Sequence, residues 1–353
     1  MIDTASDTFH WPHVLNTLLD GEDLTEATAE AVMGHLMRGE AEPAQVAGLL
    51  VALRAKGEAA PEIAGFVRAM LGAAAPIELP EALRAGLVDT CGTGGDGAGT
   101  FNISTIAAIV VAAAGVPVAK HGNRAASSSC GSADLLEAFG VQIELPAEAV
   151  AECLQELSIG FLNARSFHPA MRFVAPVRAQ LGVRTAFNIL GPLSNPAGAP
   201  HQVVGVSDEQ LARAMADAMA RLGKRRALVF RGDDGLDEMT TTAANTVYEL
   251  DGGQVREFRL DPSALGIERA SLAELAGGAT IEANVAIADA VLRGEPGPKQ
   301  DIVALNAAAA LYAAGAVDDI PVGLTKAFEI LQSGAAMDLK ERWVATSKRL
   351  ADA

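Results

Sequence analysis

Apolar residues recur at helical spacing through the first part of the chain, up to about residue 80. The segment 24–40 has Thr25 as a plausible N-cap, and two further segments open on Pro43 and Pro61. Proline is favoured at the first position of a helix because the N–H group that it lacks has no partner there. The pattern therefore predicts that the N-terminal part is all helical.

The pattern changes at Leu87, where short β-rich runs begin to alternate with helical segments. The runs predicted as strands are 87–90, 116–119, 160–163, 203–206 and 227–230, and the clearest helices between them are 147–157 and 208–222. This alternation predicts an α/β fold with a mostly parallel sheet flanked by helices. A hairpin is expected over 246–260, turning around Asp251-Gly252-Gly253, and a helical pattern returns after Asp301.

Residues 168–196 interrupt the alternation. A single helical pattern ending at Gly182 precedes a turn-rich, rigid stretch, 188–198, and we expect the segment to pack with the N-terminal helices because it offers no strand. Two domains are therefore predicted, and a cleft between them is a preferred place for a ligand. Their bounds are 1–82 with 168–196 for a small helical domain, and 83–167 with 197–353 for a larger α/β domain.

Composition narrows the possible classes of protein. The chain has 353 residues, of which 50% are hydrophobic and 20% charged, as in globular proteins. Its net charge of −17 repels nucleic acid and anionic membranes, so neither is expected as a partner. There is no signal-peptide pattern, and the apolar run 106–119 is too short to span a bilayer. Cys91, Cys130 and Cys153 lack CxxC spacing, which favours packing roles in the reduced cytoplasm.

Two long windows contain no Asp or Glu. Composition alone predicts about 4 to 5 acids in 97–133 and about 6 in 157–207. The windows keep their cations: Lys120, His121 and Arg124 in the first, and Arg165, Arg172, Arg178 and Arg184 in the second. One interpretation is a buried strand–helix pair and a loop-rich stretch. Because the cations remain, we favour two anion sites.

The glycine-rich segment 92–97 satisfies the pattern G-x-G-x-x-G after a predicted strand. In a dinucleotide site the helix starts within the glycines and an acid follows about 20 residues on. Here no helix is expected before Ile103. The segment Val116–Lys120, where the acid of a dinucleotide site would lie, contains a lysine and no acid. A Walker motif is absent too, because no Gly-Lys-Ser/Thr follows. A loop that passes phosphate to the next helix is the remaining alternative.

Asn102, Ser104 and Thr105 lie where that helix would begin, and unpaired N–H groups and hydroxyls there form an anion site. Alternatively, Ser104 or Thr105 only caps the helix. The next predicted strand ends in a similar way, with polar and cationic residues before a helix that starts near Ser132. Those residues are Lys120, His121, Asn123, Arg124, Ser127, Ser128 and Ser129. Two such strand ends predict a phosphate site at the carboxyl edge of the sheet.

The motifs GTGGD, NIST, KHGNR, GSAD, HP…VR…LG.RT.FN.LGPL.NP and DE occur in this order. In this combination the chain resembles the anthranilate phosphoribosyltransferase family, and the resemblance includes KGE near Lys56 and ALNAAAALYAAG from Ala304. It implies a small helical domain, a larger α/β domain and a homodimer formed through the helical one. It also implies transfer of phosphoribose from phosphoribosyl diphosphate to anthranilate in tryptophan biosynthesis.

The resemblance implies two sets of substrate-binding residues. Those for phosphoribosyl diphosphate are Gly92, Thr93, Gly94, Gly95, Asp96, Thr100, Asn102, Ser104, Thr105, Lys120, Asn123, Ser127, Ser128 and Ser132. Those for anthranilate are Gly92, Gly94, His121, Asn123, His168 and Arg178. Arg178 matches the arginine that binds the acceptor carboxylate, for which a guanidinium is well shaped.

Some assignments stay open. His168 is alternatively an exposed capping residue beside Pro169, and Ser129 stands where relatives often have a lysine. Arg165, Arg172 and Arg184 are interpreted as surface or structural residues.

Asp237-Glu238 is the candidate metal site, since Mg²⁺ takes a few carboxylates together with water and substrate phosphates. Taken alone, such a pair is usually a solvated surface turn, and Asp233-Asp234 looks similar. The resemblance singles out the second pair, adds Ser104 as a ligand and implies two Mg²⁺ ions. These ions would offset the repulsion between an acidic protein and a polyanionic donor.

No residue is predicted as a general base, since an aromatic amine is already a neutral nucleophile and loses its proton after attack. Catalysis would rest on alignment and charge stabilisation. The alternatives are a pyrimidine nucleoside phosphorylase-like enzyme and a non-catalytic relative that binds nucleic acid. FNILGPLSNP and Arg178 favour the transferase over the first, and the acidic charge argues against the second.

Overall fold

The computed structural model describes residues 9–125 and 130–352. The strands are β1 Val88–Gly92, β2 Val118–Gly122, β3 Ile159–Asn163, β4 His201–Gly205, β5 Arg226–Gly232, β6 Asn245–Asp251 and β7 Gln254–Leu260. The α-helices are α1 Trp11–Leu19, α2 Glu26–Met37, α3 Pro43–Lys56, α4 Ala60–Gly72, α5 Glu81–Arg84, α6 Ile103–Ala113, α7 Ser132–Phe139, α8 Ala147–Leu157, α9 Ala164–Phe167, α10 Ala175–Leu181, α11 Phe187–Leu193, α12 Glu209–Arg221, α13 Ile281–Leu292, α14 Pro298–Ala313, α15 Ile320–Gln332 and α16 Ala335–Ala351. Two 3₁₀ helices span Pro169–Phe173 and Pro262–Leu265.

The strands form one sheet in the order β3-β2-β1-β4-β5-β6-β7, in which the first five are parallel and the last two join through antiparallel pairings of β5 with β6 and of β6 with β7. The α/β fold with a mostly parallel sheet is confirmed, and so is the hairpin, in which Asp251 pairs with Gln254. The strand order changes direction at β1 and β4, which lie side by side at the centre. Ligands of such sheets bind outside the carboxyl ends of the strands at this point.

Strand β2 begins later than predicted and reaches further. Pro117, which has no N–H group for a strand ladder, precedes its first residue, Val118. As a result Lys120 and His121 lie within the strand rather than in the loop after it. Similarly, β1 extends to Gly92, so the glycine loop starts one residue later than its first glycine.

The helices before residue 80 agree with the apolar spacing. The Thr25 hydroxyl caps α2 by accepting from the Thr28 N–H group at 3.1 Å, and α3 opens on Pro43 as expected. The starts of α6 at Ile103 and of α7 at Ser132 are also confirmed. None of the helices in the described ranges combines the length and the apolar character needed to cross a membrane.

The prediction of one helix ending at Gly182 is wrong. A 3₁₀ helix, Pro169–Phe173, is followed by the separate helix α10, because Pro176 would break a continuous helix by removing a donor and crowding the carbonyl of Arg172. The turn-rich interpretation of 188–198 is also partly wrong, since α11 covers Phe187–Leu193 and holds Pro192 inside it. Helix α13 was not predicted.

Buried side chains form two clusters, one on each face of the sheet. Successive residues of a strand contribute to opposite clusters, as Val203 and Val204 of β4 show. The first cluster joins the sheet to α6 and α14, and the second joins it to α12, the N-terminal helices and residues 170–193. Val174 and Phe187 are buried in this second cluster, whereas the domain bounds themselves stay a prediction.

Candidate active site at the carboxyl edge of the sheet

The glycine-rich loop leaves β1 and enters α6. Gly94, Gly95, Gly97 and Gly99 have φ values of 69°, 81°, 70° and 66°, a region that residues with a Cβ rarely adopt. At its far end the loop is tied to a neighbouring segment, because the Gly277 N–H group donates to the Gly99 carbonyl at 2.8 Å and Thr100 forms a β-bridge with Ala276. The glycines therefore give the loop its path and leave its backbone accessible.

The acid pair follows β5 and contacts this loop. The Gly94 N–H group donates to Asp237 Oδ2 at 2.5 Å, and the Ser104 N–H group at the start of α6 donates to Glu238 Oε1 at 3.2 Å. A Cβ at Gly92 would overlap the Asp237 carboxylate, so glycine is needed there for the close approach. Asp237 and Glu238 are only 9% and 8% exposed, which contradicts the alternative of a solvated surface turn.

Negative charge is crowded around this pair. Burial, with the charge of Asp237, raises the pKa of Glu238 to about 8. Burial and the nearby Asp96 carboxylate raise the pKa of Asp237 to about 7. Asp96 Oδ2 is buried and has no hydrogen-bond partner among the described residues. A buried carboxylate oxygen without a partner is costly, and a cation would relieve the cost.

The donor set fits Mg²⁺, which prefers oxygen ligands and takes only one or two carboxylates beside water and substrate phosphates. Within residues 9–125 and 130–352, no group of three or more His, Cys, Asp or Glu side chains is arranged to hold an ion unaided. An ion here would therefore share its coordination with a bound phosphate.

Lys120, Thr105 and Thr93 are buried in this structure. The Lys120 ammonium is buried and donates to the Thr90 carbonyl at 2.7 Å, and burial lowers its pKa although Asp89 lies nearby. Thr105 and Thr93 are also buried. Contact of these three residues with a donor stays a prediction.

Asn102, at the first predicted strand end, contacts the segment that follows the second predicted strand end. Asn102 Nδ2 donates to the Cys130 carbonyl at 2.9 Å, while its Oδ1 is buried without a partner in the described part of the chain. Ser132 Oγ donates to the Asn123 carbonyl at 3.2 Å. Ser127, Ser128 and Ser129 lie outside the described residues. Asp134, which was not predicted, accepts from the N–H groups of Ala125 and Gly131 at 2.9 Å each.

Two of the predicted acceptor residues, His121 and His168, lie close together. The His121 and His168 rings lie 5.1 Å apart between centroids, and His168 Nε2 is 2.9 Å from the Ser194 carbonyl. His168 is 6% exposed, so the alternative of an exposed capping residue is wrong. His121 Nε2 is buried and makes no hydrogen bond to any described residue. Burial lowers the pKa of both rings, that of His121 to about 3.

Arg178 lies half-buried on α10, with its guanidinium 5.1 Å from the centroid of the Phe187 ring. Burial lowers its pKa, and in the described ranges no carboxylate lies within ion-pair distance of it. A charge that is partly removed from water and not balanced by the protein suits an anionic ligand.

Arg184 has a larger role than the sequence indicated. Its Nη1 donates to the Gly94 carbonyl at 2.5 Å, and Nη2 lies 3.5 Å from the Thr93 carbonyl. Ser207 Oγ donates to the same Gly94 carbonyl at 3.2 Å. In the sequence, only the RT motif pointed to Arg184. In the structure, Arg184 links the segment after α10 to the glycine loop. Arg165 and Arg172 are exposed, as interpreted from the sequence.

The cysteines are reduced throughout the described residues. Burial raises the pKa of all three thiols, to about 11 for Cys130 and Cys153. A thiol with a raised pKa is a poor nucleophile, in agreement with the predicted packing role. The cytoplasmic location stays a prediction.

Comparison with known proteins connects this geometry to two family models. Residues 84–337 match the α/β domain of a glycosyl transferase family, and residues 12–74 match the helical bundle domain of such a family. An anthranilate phosphoribosyltransferase of Moorella thermoacetica is 52% identical over 322 residues, which cover 91% of this chain and 94% of that relative.

Solved structures agree along the whole fold. The crystal structure of the anthranilate phosphoribosyltransferase from Thermus thermophilus is 50% identical, with a TM-score of 0.89, and covers 95% of this chain and 99% of its own. The enzyme from Saccharomyces cerevisiae, solved in complex with PRPP and Mg, is 27% identical, with a TM-score of 0.85 and coverage of 96% and 98%.

The low pKa of His121 predicts how the stability of the fold depends on pH. The folded pKa of about 3 lies below the ordinary value of 6.5, so between these values the unfolded chain binds a proton that the folded chain excludes. Relative to His121→Asn, the wild type should therefore lose about 2 kcal/mol of unfolding free energy when the pH falls from about 7 to about 5. Urea denaturation at both pH values measures the difference, and a constant difference contradicts the burial argument.

Proposed function

The chain belongs to the family of anthranilate phosphoribosyltransferases, and we propose that its site transfers the 5-phosphoribosyl group of 5-phosphoribosyl 1-diphosphate to the amine of anthranilate. As a member of this family it is an enzyme, a transferase of tryptophan biosynthesis. The products would be N-(5-phosphoribosyl)anthranilate and diphosphate. The observation that carries the proposal is the buried Asp237-Glu238 pair, bound by Gly94 and Ser104 to the glycine loop and to the first turn of α6.

The donor would bind at the glycine loop and the start of α6. A helix N-terminus attracts anions through its free N–H groups and the helix dipole. The loop offers accessible backbone, and the unpartnered Asn102 Oδ1 can accept a hydrogen bond from a group such as a ribose hydroxyl. The donor-binding residues predicted from the sequence are therefore proposed here as a group.

Ser104, Asp237 and Glu238 would hold Mg²⁺ together with the donor. The support is the crowding of carboxylates and the Saccharomyces cerevisiae relative solved with PRPP and Mg. When bound, the ion neutralises charge that develops on the diphosphate leaving group. The presence of two ions per site stays a prediction.

The chemistry would need no general base. The nitrogen lone pair of anthranilate attacks C1 of the ribose while the bond from C1 to the diphosphate oxygen breaks with its electron pair. Positive charge develops on the ribose ring, and the nitrogen releases its proton after attack. Arg178 would hold the acceptor carboxylate, and the neutral rings of His121 and His168 would line its path, since neutral imidazoles add no charge beside a flat apolar ring.

The proposed function is tested by following the loss of anthranilate fluorescence with donor and Mg²⁺. Asp237→Asn combined with Glu238→Gln should lower kcat/KM about 1,000-fold and abolish its Mg²⁺ dependence, because the variant loses the charges that hold the ion. Asp233→Asn, which breaks only an exposed pair with Arg259, is the control and should stay near the wild type. Normal turnover by the double variant rules out the metal site, and an inactive wild type rules out the function.

The proposed role of Arg178 predicts that its loss changes the KM for one substrate and not for the other. Arg178→Ala should raise the KM for anthranilate about 10- to 100-fold, the worth of a hydrogen-bonded ion pair, with little change in the KM for the donor. Arg172→Ala, on the exposed side of the same segment, is the control. Steady-state kinetics with each substrate varied in turn give both constants. An equal rise in both contradicts a role at the acceptor carboxylate.

We also propose a homodimer formed through the helical domain. Helix α3 carries apolar residues on its outer side as well as its inner one, since Leu49 and Leu50 lie in the core while Val51 is 49% exposed. Leu19 at the end of the neighbouring α1 is 72% exposed. A helix with apolar residues on opposite sides is normally covered on both sides.

Sedimentation equilibrium should show a dimer that Val51→Asp weakens, whereas Val322→Asp, at a 51% exposed position on α15, leaves it intact. A monomeric wild type contradicts this proposal.

A further inference from the structure

Asn306 holds the backbone directly behind the acid pair. Its Oδ1 accepts from the Met239 N–H group at 3.0 Å, and its Nδ2 donates to the Met239 carbonyl at 3.0 Å. One side-chain amide thus satisfies both hydrogen-bonding groups of the residue that follows Glu238. Asn306 is 3% exposed and Met239 is fully buried, so water does not compete for these bonds.

The next residue is held in the same way. Asn245 Oδ1 accepts from the Thr240 N–H group at 2.8 Å, and Asn245 Nδ2 donates to the Thr240 carbonyl at 3.0 Å. Two consecutive residues are therefore bracketed by asparagine side chains. The bracket from Asn306 reaches across 67 positions of sequence and anchors the segment to α14, whereas Asn245 acts locally from β6.

Local structure does not explain Asn306. It lies in the middle of α14, between the buried apolar residues Leu305 and Ala307. Asparagine is a poor residue for a helix interior, and a buried amide is costly unless its hydrogen bonds are made. Its Nδ2 also donates to the Ile302 carbonyl one turn earlier, which fixes the orientation of the side chain.

The acid pair needs such an anchor. Asp96, Asp237 and Glu238 place like charges close together, and their repulsion acts to separate the segments that carry them. The glycine loop and α6 hold the pair from the front through the N–H groups of Gly94 and Ser104. Asn306 holds it from behind, through the peptide that joins Glu238 to Met239.

We propose that Asn306 is a positioning residue for the magnesium site, because its two hydrogen bonds to Met239 set the direction of the Asp237 and Glu238 carboxylates. The inference rests on the proposed function. Groups that orient metal ligands are worth about 10- to 100-fold in metal affinity.

Asn284 offers a matched control. On α13 it brackets Gly278 in the same manner, accepting from the Gly278 N–H group at 3.0 Å and donating to its carbonyl at 3.0 Å. It also donates to the Thr280 carbonyl one turn earlier and is 2% exposed. The chemistry and burial match those of Asn306, but the bracketed segment contacts only the far end of the glycine loop, at Gly99 and Thr100, and does not carry the acid pair.

The test measures metal binding directly. Electron paramagnetic resonance follows the binding of Mn²⁺, as a probe for Mg²⁺, to the full chain with and without 5-phosphoribosyl 1-diphosphate. Asn306→Ala and the neutral Asn306→Leu, of similar volume, should weaken Mn²⁺ binding at least about 10-fold, because each loses the hydrogen bonds to Met239. In activity assays they should raise the Mg²⁺ concentration for half-maximal rate while leaving the KM for anthranilate unchanged.

Asn284→Ala should lower the Tm by a similar amount and leave Mn²⁺ affinity within about twofold of the wild type. Unchanged Mn²⁺ affinity in the Asn306 variants overturns the inference and leaves the proposed function intact. If Asn306→Ala does not fold, Asn306→Leu decides the question, since its volume is similar and it adds no charge. A wild type that binds no Mn²⁺ even with the donor overturns both the metal proposal and this inference.

Discussion

The site depends on holding several carboxylates together in a place that water hardly reaches. Asp237 and Glu238 repel each other and Asp96, and the fold opposes this repulsion with backbone N–H groups from two directions and an asparagine bracket from a third. Part of the folding free energy thus maintains an arrangement that is unfavourable until a cation joins it. The glycine loop and α6 each supply one N–H group to a carboxylate of the pair.

Charge is distributed unevenly among the predicted site residues. The acid pair and the buried ammonium of Lys120 are the charged groups near the glycine loop, whereas the rings of His121 and His168 are neutral and Arg178 carries a cation. A polyanion with its metal and a flat, singly charged acid require different surroundings. Arg184 lies in the segment after α10 and connects this segment to the glycine loop, because its guanidinium donates to the carbonyl of Gly94.

Periodicity predicted the fold well where one local rule decides the outcome, as in the starts of α6 at Ile103 and α7 at Ser132. It failed at Pro176 and Pro192, because a proline opens one helix and lies inside another, and the choice depends on packing. The motifs predicted that the site residues lie near one edge of the sheet. Burial of Asp237 and the reach of Arg184 and Asn306 stayed hidden, since they depend on contacts between residues far apart in sequence.

The central pairing of β1 with β4 has a consequence for how the chain acquires this structure. Val88 pairs with His201, so the middle of the sheet closes only after the intervening residues have been synthesised. Pairings across such distances form slowly, because the entropy of closing a long loop is lost before any contact compensates it. The nascent N-terminal helices also wait for α10 and α11 to cover their apolar side. During translation, the N-terminal part of the chain therefore exposes hydrophobic surface to which chaperones can bind.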